Sequence, residues 1–206
     1  MHILRLAVFL ISVATFAQTP LTEAETVKFK EIVSKRSDAL ESLSSEFIQT
    51  KYIKMMKGTA ISNGKLYYLA PDILKWEYRR PYNYKILFKA NKLLIDDDGY
   101  KSVTDLKSNK LFEKLVTLIS GSINGKLLED QKNYEVSYFK TTNLISAVIV
   151  PKDSGIREMF NQIILLFDRN FVVITVRLME ASGDYTEIDF KNIRFNQPIH
   201  PAVFQN

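Results

Sequence analysis

No cysteine occurs anywhere in the 206 residues, and histidine occurs only at His2 and His200. The first absence excludes disulfide frameworks, thiolate metal sites, cysteine nucleophiles and a lipid anchor carried on an N-terminal cysteine. The second leaves too few imidazoles for a His-rich metal site or a histidine relay. Glycine is also scarce, at seven residues, and none is spaced to cradle a phosphate. A Ser–His–Asp reading would need His200, held between Pro198 and Pro201 near the C-terminus, and no nucleophile motif accompanies it. Asp72 and Glu77 do not make an acid pair, because Glu77 alternates onto a strand face where a solvated carboxylate is expected. The run Asp96-Asp97-Asp98 lacks the spaced oxygens of a calcium loop and reads as a turn. The expectation is a protein with no catalytic residues, no metal and no cofactor.

What is present is ordinary globular composition. Hydrophobic residues make up 46% of the chain and charged residues 25%, and the length suits one domain. The apolar stretch at the start has its own explanation. Arg5 supplies a short positive region, Leu6–Ile11 an apolar run, and Thr15 and Ala17 the small residues of a cleavage site. Residues 1–17 therefore read as a secretory signal peptide and residues 18–206 as a single exported domain. Losing residues 1–17 removes Arg5 and no acid, so 28 basic residues become 27 against 23 acidic ones, a net +4. The lysines are scattered along alternating strand positions, which fits solvated strand faces better than a nucleic-acid surface. Attraction to an anionic membrane surface stays open.

Thr22 and Glu25 form a capping-box pattern, and Val27, Ile32, Val33, Leu40 and Leu43 predict a helix to about Ser44. The period then changes to two. Strands are expected from Phe47 into the Lys51–Lys57 stretch, with a turn at Gly58 or at Asn63-Gly64, then over 65–69, 74–78 and 84–88. A further strand over 93–96 ends in a turn at Asp98-Gly99. Leu111, Phe112, Leu115, Val116, Leu118 and Ile119 predict a helical insertion stopped by Gly121. Five more strands follow, about ten in all. The fold class is mainly β, with an N-terminal helix and one helical insertion.

Phe47-Ile48-Gln49 after a helix, then Gly64-Lys65-Leu66-Tyr67-Tyr68, Pro71, Trp76-Glu77-Tyr78 and Pro81, form a connected series. It resembles the LolA family of periplasmic carriers for outer-membrane lipoproteins, whose pattern runs F-x-Q, G-x-[LI]-[WY], P, W-x-Y, P. The resemblance implies an incomplete, strongly curved antiparallel β-barrel with helices covering its mouth around an apolar cavity. It also implies acylated lipoprotein cargo, an inner-membrane lipoprotein-release complex and an outer-membrane acceptor as partners, and a periplasmic location. The chain departs from the pattern at Ala70, where the best-known members carry an arginine that helps latch the lid. Neither Arg79 nor Arg80 matches that position.

An acyl chain crossing water needs a concave apolar site, since each buried methylene is worth about 0.8 kcal/mol and a sixteen-carbon chain about 12 kcal/mol. The expected cavity lining is Phe47, Leu66, Tyr68, Leu74, Trp76, Tyr78, Ile86 and Phe88. The expected lid is the insertion helix with Phe112, Leu115, Val116 and Ile119, hinged at Gly121 and Gly125. Those apolar residues could equally fill a core, and the insertion could be a permanently packed helix. The resulting expectation is a monomeric carrier that takes lipoprotein acyl chains between the two membranes, with no nucleic-acid partner. The alternatives are a carrier for another acylated product, such as a glycolipid or pigment lipid, and a structural or interaction module.

Overall fold

A computed structural model describes residues 18–105, 121 and 125–205. Thr22 caps the first helix, α1 (Glu23–Asp38): its hydroxyl accepts from Glu25 N, and the Glu25 carboxylate accepts from Thr22 N at 2.9 Å. These bonds satisfy donors that the first helical turn leaves without partners. The helix ends six residues short of the expected Ser44. Ser42 and Leu43 are already paired with Leu69 and Tyr68, and the Asn196 side chain accepts from Glu41 N and Ser42 N. Tertiary pairing wins over the helical spacing there.

Twelve strands form one antiparallel sheet among the described residues. They are β1 (Thr19–Pro20), β2 (Ser42–Ile53), β3 (Gly58–Leu69), β4 (Ile73–Arg80), β5 (Tyr84–Lys89), β6 (Lys92–Asp97), β7 (Tyr100–Asp105), β8 (Tyr134–Lys140), β9 (Ile145–Pro151), β10 (Gln162–Phe167), β11 (Val173–Met179) and β12 (Tyr185–Phe195). Their order is β1-β8-β9-β10-β11-β12-β2-β3-β4-β5-β6-β7, so the sheet has two free edges and does not close. The ten expected strands omit β1, which is only two residues long, and β7, an edge strand with almost no buried side chain to mark it. A short helix, α2 (Ser154–Met159), was also not foreseen; the Asp153 carboxylate caps it by accepting from Ile156 N.

The sheet curves strongly. Leu66 on β3 and Phe167 on β10 border the same small cavity, although four strand spacings, about 19 Å on a flat sheet, separate their strands. Phe29 and Val33 of α1 sit in that hollow, in one core with residues of β2–β4 and β8–β12.

Gly64 lies inside β3, not in a turn. A Cβ there would stand 1.9 Å from the Glu77 carbonyl oxygen and 2.7 Å from Phe47 Cζ, so glycine lets β4 and the Phe47 ring close on the strand beside a register shift. The turn is at residues 54–57, where Met56 N and Lys57 N donate to the carbonyls of Ile53 and Lys54.

The outer face is covered locally by the C-terminal segment. Lys75 is buried, donates from Nζ to the Val203 carbonyl at 2.8 Å and pairs with Glu77 at 3.4 Å, while Phe204 is buried. His200 caps the final 3-10 turn, Pro201–Phe204, by accepting from Ala202 N.

Candidate functional site

Antiparallel register decides which side chains share a face, because directly opposed residues point the same way. Ser45, Leu66, Trp76 and Ile86 form one row across β2–β5, Leu43, Tyr68, Leu74 and Phe88 the next, and Phe47, Gly64, Tyr78 and Tyr84 a third. All eight residues expected to line a cavity therefore lie on the face that carries the core. Phe47, Leu66, Tyr68, Leu74 and Trp76 are buried, and Tyr78, Ile86 and Phe88 are half-buried.

They do not all border open space. Phe47 packs on Trp76, ring centres 4.6 Å apart, and meets Tyr78 edge-on at 5.3 Å. Burial pushes the Tyr78 hydroxyl up to about 12, against a smaller lowering by the hydrogen bond it donates to Gln49 at 2.9 Å. Of the eight, Leu66 alone borders the cavity beneath α1. The lid residues Phe112, Leu115, Val116 and Ile119 lie outside the described residues. Gly125 is described: it adopts φ +82° beneath α1, and a Cβ there would meet Val33 Cγ1 at 2.6 Å.

The cavity has a volume of about 30 Å³, room for about two water molecules. Val33, Arg36 and Leu40 close it from α1 and its C-terminal end; Leu43, Ser45 and Leu66 form one wall, and Phe167, Phe171, Phe190 and Phe195 contribute the aromatic part. The Arg36 guanidinium lies 5.7 Å from the Phe195 ring centre, and among the described residues Arg36 is the one basic side chain that lines this cavity. Ala70, by contrast, is held through its backbone, donating from N to the Glu41 carbonyl at 2.8 Å.

Three hydroxyls are buried without a partner among the described residues, Ser37 Oγ on α1, Ser45 Oγ and Tyr138 OH. Each costs about 1–3 kcal/mol relative to a satisfied group. Burial pushes the Tyr138 hydroxyl up to about 12, so it stays protonated and able to donate.

A wider groove of about 340 Å³, open to solvent, lies on the other side of Phe171. Leu21, Phe29, Leu144 and Ile145 give it an apolar floor, and Glu25, Lys28, Lys140 and Arg169 stand around it. Phe171 borders both spaces. The Phe29 ring fills the partition, with centres 5.5 Å from Tyr138, 5.0 Å from Phe167 and 6.0 Å from Phe171. Among the described residues the arrangement is a small oily chamber and a polar-rimmed vestibule, divided by two phenylalanines and roofed by α1.

Of the upstream cavity residues, Leu43 was hidden because the residues to Ser44 read as helical, whereas Ser45, where the period of two begins, carries no apolar side chain to mark it; continuing that period back from Phe47 finds both. Phe171 reads in the sequence as the first residue of a strand over 171–179, but the strand begins at Val173 and Phe171 sits in the preceding turn, where its N donates to the Asp168 carbonyl.

Comparison with known proteins agrees with this architecture. The family described as outer membrane lipoprotein carrier protein LolA matches residues 38–206. A protein of Azotobacter vinelandii named outer-membrane lipoprotein carrier protein is 21% identical over 197 residues, covering 96% of this chain and 91% of its own. A protein of the same name from Chromobacterium violaceum is 27% identical over 198 residues, covering 94% and 88%. Among solved structures, lipoprotein LppX of Mycobacterium tuberculosis aligns with a TM-score of 0.51 at 10% identity, covering 87% of this chain and 99% of that one. The Pseudomonas aeruginosa MucA/MucB complex aligns at 0.53 with 9% identity, over 87% of this chain and 61% of that one. At such identities the structural likeness is one of fold alone.

Proposed function

The chain belongs to the LolA family of outer membrane lipoprotein carriers, and from that premise we propose that it carries the acyl chains of lipoproteins through the periplasm from the inner to the outer membrane. The observation that supports this most is the apolar chamber beneath α1, bordered by Leu66 and Phe167 and separated from a solvent-open groove by Phe29 and Phe171.

At about 30 Å³ the chamber is too small for an acyl chain, so loading needs it to widen, and lifting α1 from the sheet would widen it. The magnitudes allow it. Burial of Phe29 and Val33 contributes about 1.5–3 kcal/mol each, about 3–6 kcal/mol together, to holding the helix, the exposed Glu25–Lys140 pair adds a smaller part, and burying a sixteen-carbon chain is worth about 12 kcal/mol. A lipid tail can therefore replace the Phe29 ring and still leave net stabilisation. Ser45 Oγ and Tyr138 OH would then meet the ester or amide carbonyls at the head of the tails. An inner-membrane release complex would load the carrier and an outer-membrane acceptor would unload it.

Native mass spectrometry of the full chain isolated from its own host tests this reading. A bound acylated polypeptide supports it. A bound glycolipid assigns the same chamber to a different acylated cargo, and an unliganded mass with no uptake of a fluorescent fatty acid rejects carriage altogether.

A further inference from the structure

The hairpin that joins β2 to β3 carries the most exposed apolar side chains among the described residues apart from Tyr100. Met55 is 93% exposed and Met56 73%. They sit at the apex of the sequence Lys51-Tyr52-Ile53-Lys54-Met55-Met56-Lys57. On the β4 side the last pair is Asn63 with Arg80, so residues 58–62 overhang it by about 17 Å. On the β12 side the β11–β12 turn accompanies the hairpin as far as Lys54, so it is the tip, residues 55–57, that stands beyond both neighbours.

It is also braced. Lys54 N donates to the Asp184 carboxylate at 2.9 Å, Tyr52 stacks on Tyr185 with ring centres 5.1 Å apart, and Lys51 pairs with Glu180 at 3.6 Å. Glu180 and Asp184, on the β11–β12 turn, are acids facing the hairpin: Glu180 lies at Lys51 on its shaft and Asp184 at Lys54, directly below the tip. The methionines stand beyond them with Lys54 and Lys57 on either side.

We propose that this hairpin docks the protein on an anionic lipid bilayer, with Met55 and Met56 entering the acyl boundary and Lys51, Lys54 and Lys57 at the phosphates. Two flexible thioether side chains suit a disordered apolar phase, and lysine stems reach along apolar surface while keeping the ammonium in the headgroup layer. A protein partner is the poorer fit. A stable interface needs about 800 Å² from each side, whereas a bilayer needs an apolar tip to sink only about 5–10 Å. Three lysines against Glu180 and Asp184 leave the hairpin one net positive charge, with Lys57 beyond both acids, and that charge favours acidic headgroups.

The proposal is independent of what the chamber holds. The test is co-sedimentation of the full chain with phosphatidylglycerol-rich vesicles and with neutral phosphatidylcholine vesicles. The wild-type chain should bind the acidic vesicles, and the double variant M55S/M56S should bind at least about tenfold more weakly. The triple variant K51Q/K54Q/K57Q should lose the preference for acidic vesicles, as should the wild type in about 1 M salt, where screening shortens to about 3 Å. Unchanged thermal melting and unchanged uptake of a fluorescent fatty acid by M55S/M56S separate docking from folding and from cargo binding. The proposal is overturned if the wild-type chain does not bind acidic vesicles, or if M55S/M56S binds as tightly as the wild type.

Discussion

The rings of Phe29 and Phe171 lie 6.0 Å apart between the small chamber and the wider groove, one carried by α1 and the other by the turn between β10 and β11. Their roles differ. Phe29 is among the most buried side chains of the core, while Phe171 is half-buried and holds φ at +59°, a conformation that glycine adopts without strain. Phe29→Ala should therefore destabilise the fold by about 3–5 kcal/mol. Phe171→Gly should leave the melting temperature nearly unchanged while speeding uptake of a fluorescent fatty acid several-fold. Uptake at the wild-type rate would show that tails enter by another route.

Ser45 makes a second, opposite demand. Its hydroxyl is buried at the chamber wall with no partner among the described residues, so the folded protein bears a cost that alanine removes. Ser45→Ala should raise stability to urea by about 1 kcal/mol while weakening binding of acyl esters more than of free hydrocarbon. A loss of stability would mean that an ordered water already satisfies the hydroxyl.

Gly64 is tested by the smallest possible addition. Alanine would drive its methyl group into the Glu77 carbonyl and the Phe47 ring. Both neighbours belong to the paired sheet and cannot withdraw cheaply. Gly64→Ala should cost about 3 kcal/mol or more in urea denaturation, and a cost under about 1 kcal/mol would show that β4 can move away.

The same glycine shows where sequence reading reaches its limit. Alternation along 74–78 and 84–88 placed Trp76, Tyr78, Ile86 and Phe88 on one face, because a period of two depends only on local geometry. The capping box of α1 was legible for the same reason. Asn63-Gly64, however, carries an identical signal for a hairpin turn and for a close approach between strands, and only the partner strand separates the two. The chamber was legible as an apolar face but not as a boundary. Whether Trp76 packs on Phe47 or faces open space depends on the sheet's curvature, and no residue spacing records that. Phe171 was beyond reach because its importance comes from meeting α1 across more than a hundred residues of chain.

Acidity should loosen the roof before it unfolds the sheet. Glu25, at the first turn of α1, is hydrogen-bonded and paired with Lys140 on β8 and bonded to Thr22, and these partners lower its carboxyl from 4.5 to about 2. A carboxyl lowered by folding stabilises the folded state at pH values above its unfolded pKa. That contribution fades as pH falls from about 4.5 toward about 2, because the unfolded chain takes up the proton first. Glu25→Gln removes the ionic partner at every pH. Wild type should therefore melt higher than Glu25→Gln at neutral pH, and the two melting temperatures should converge across that acidic window. The pair is exposed to solvent, so added salt should narrow the neutral-pH gap as well. A gap that stays constant down to pH 2 would place the source of the difference elsewhere than in the Glu25 charge.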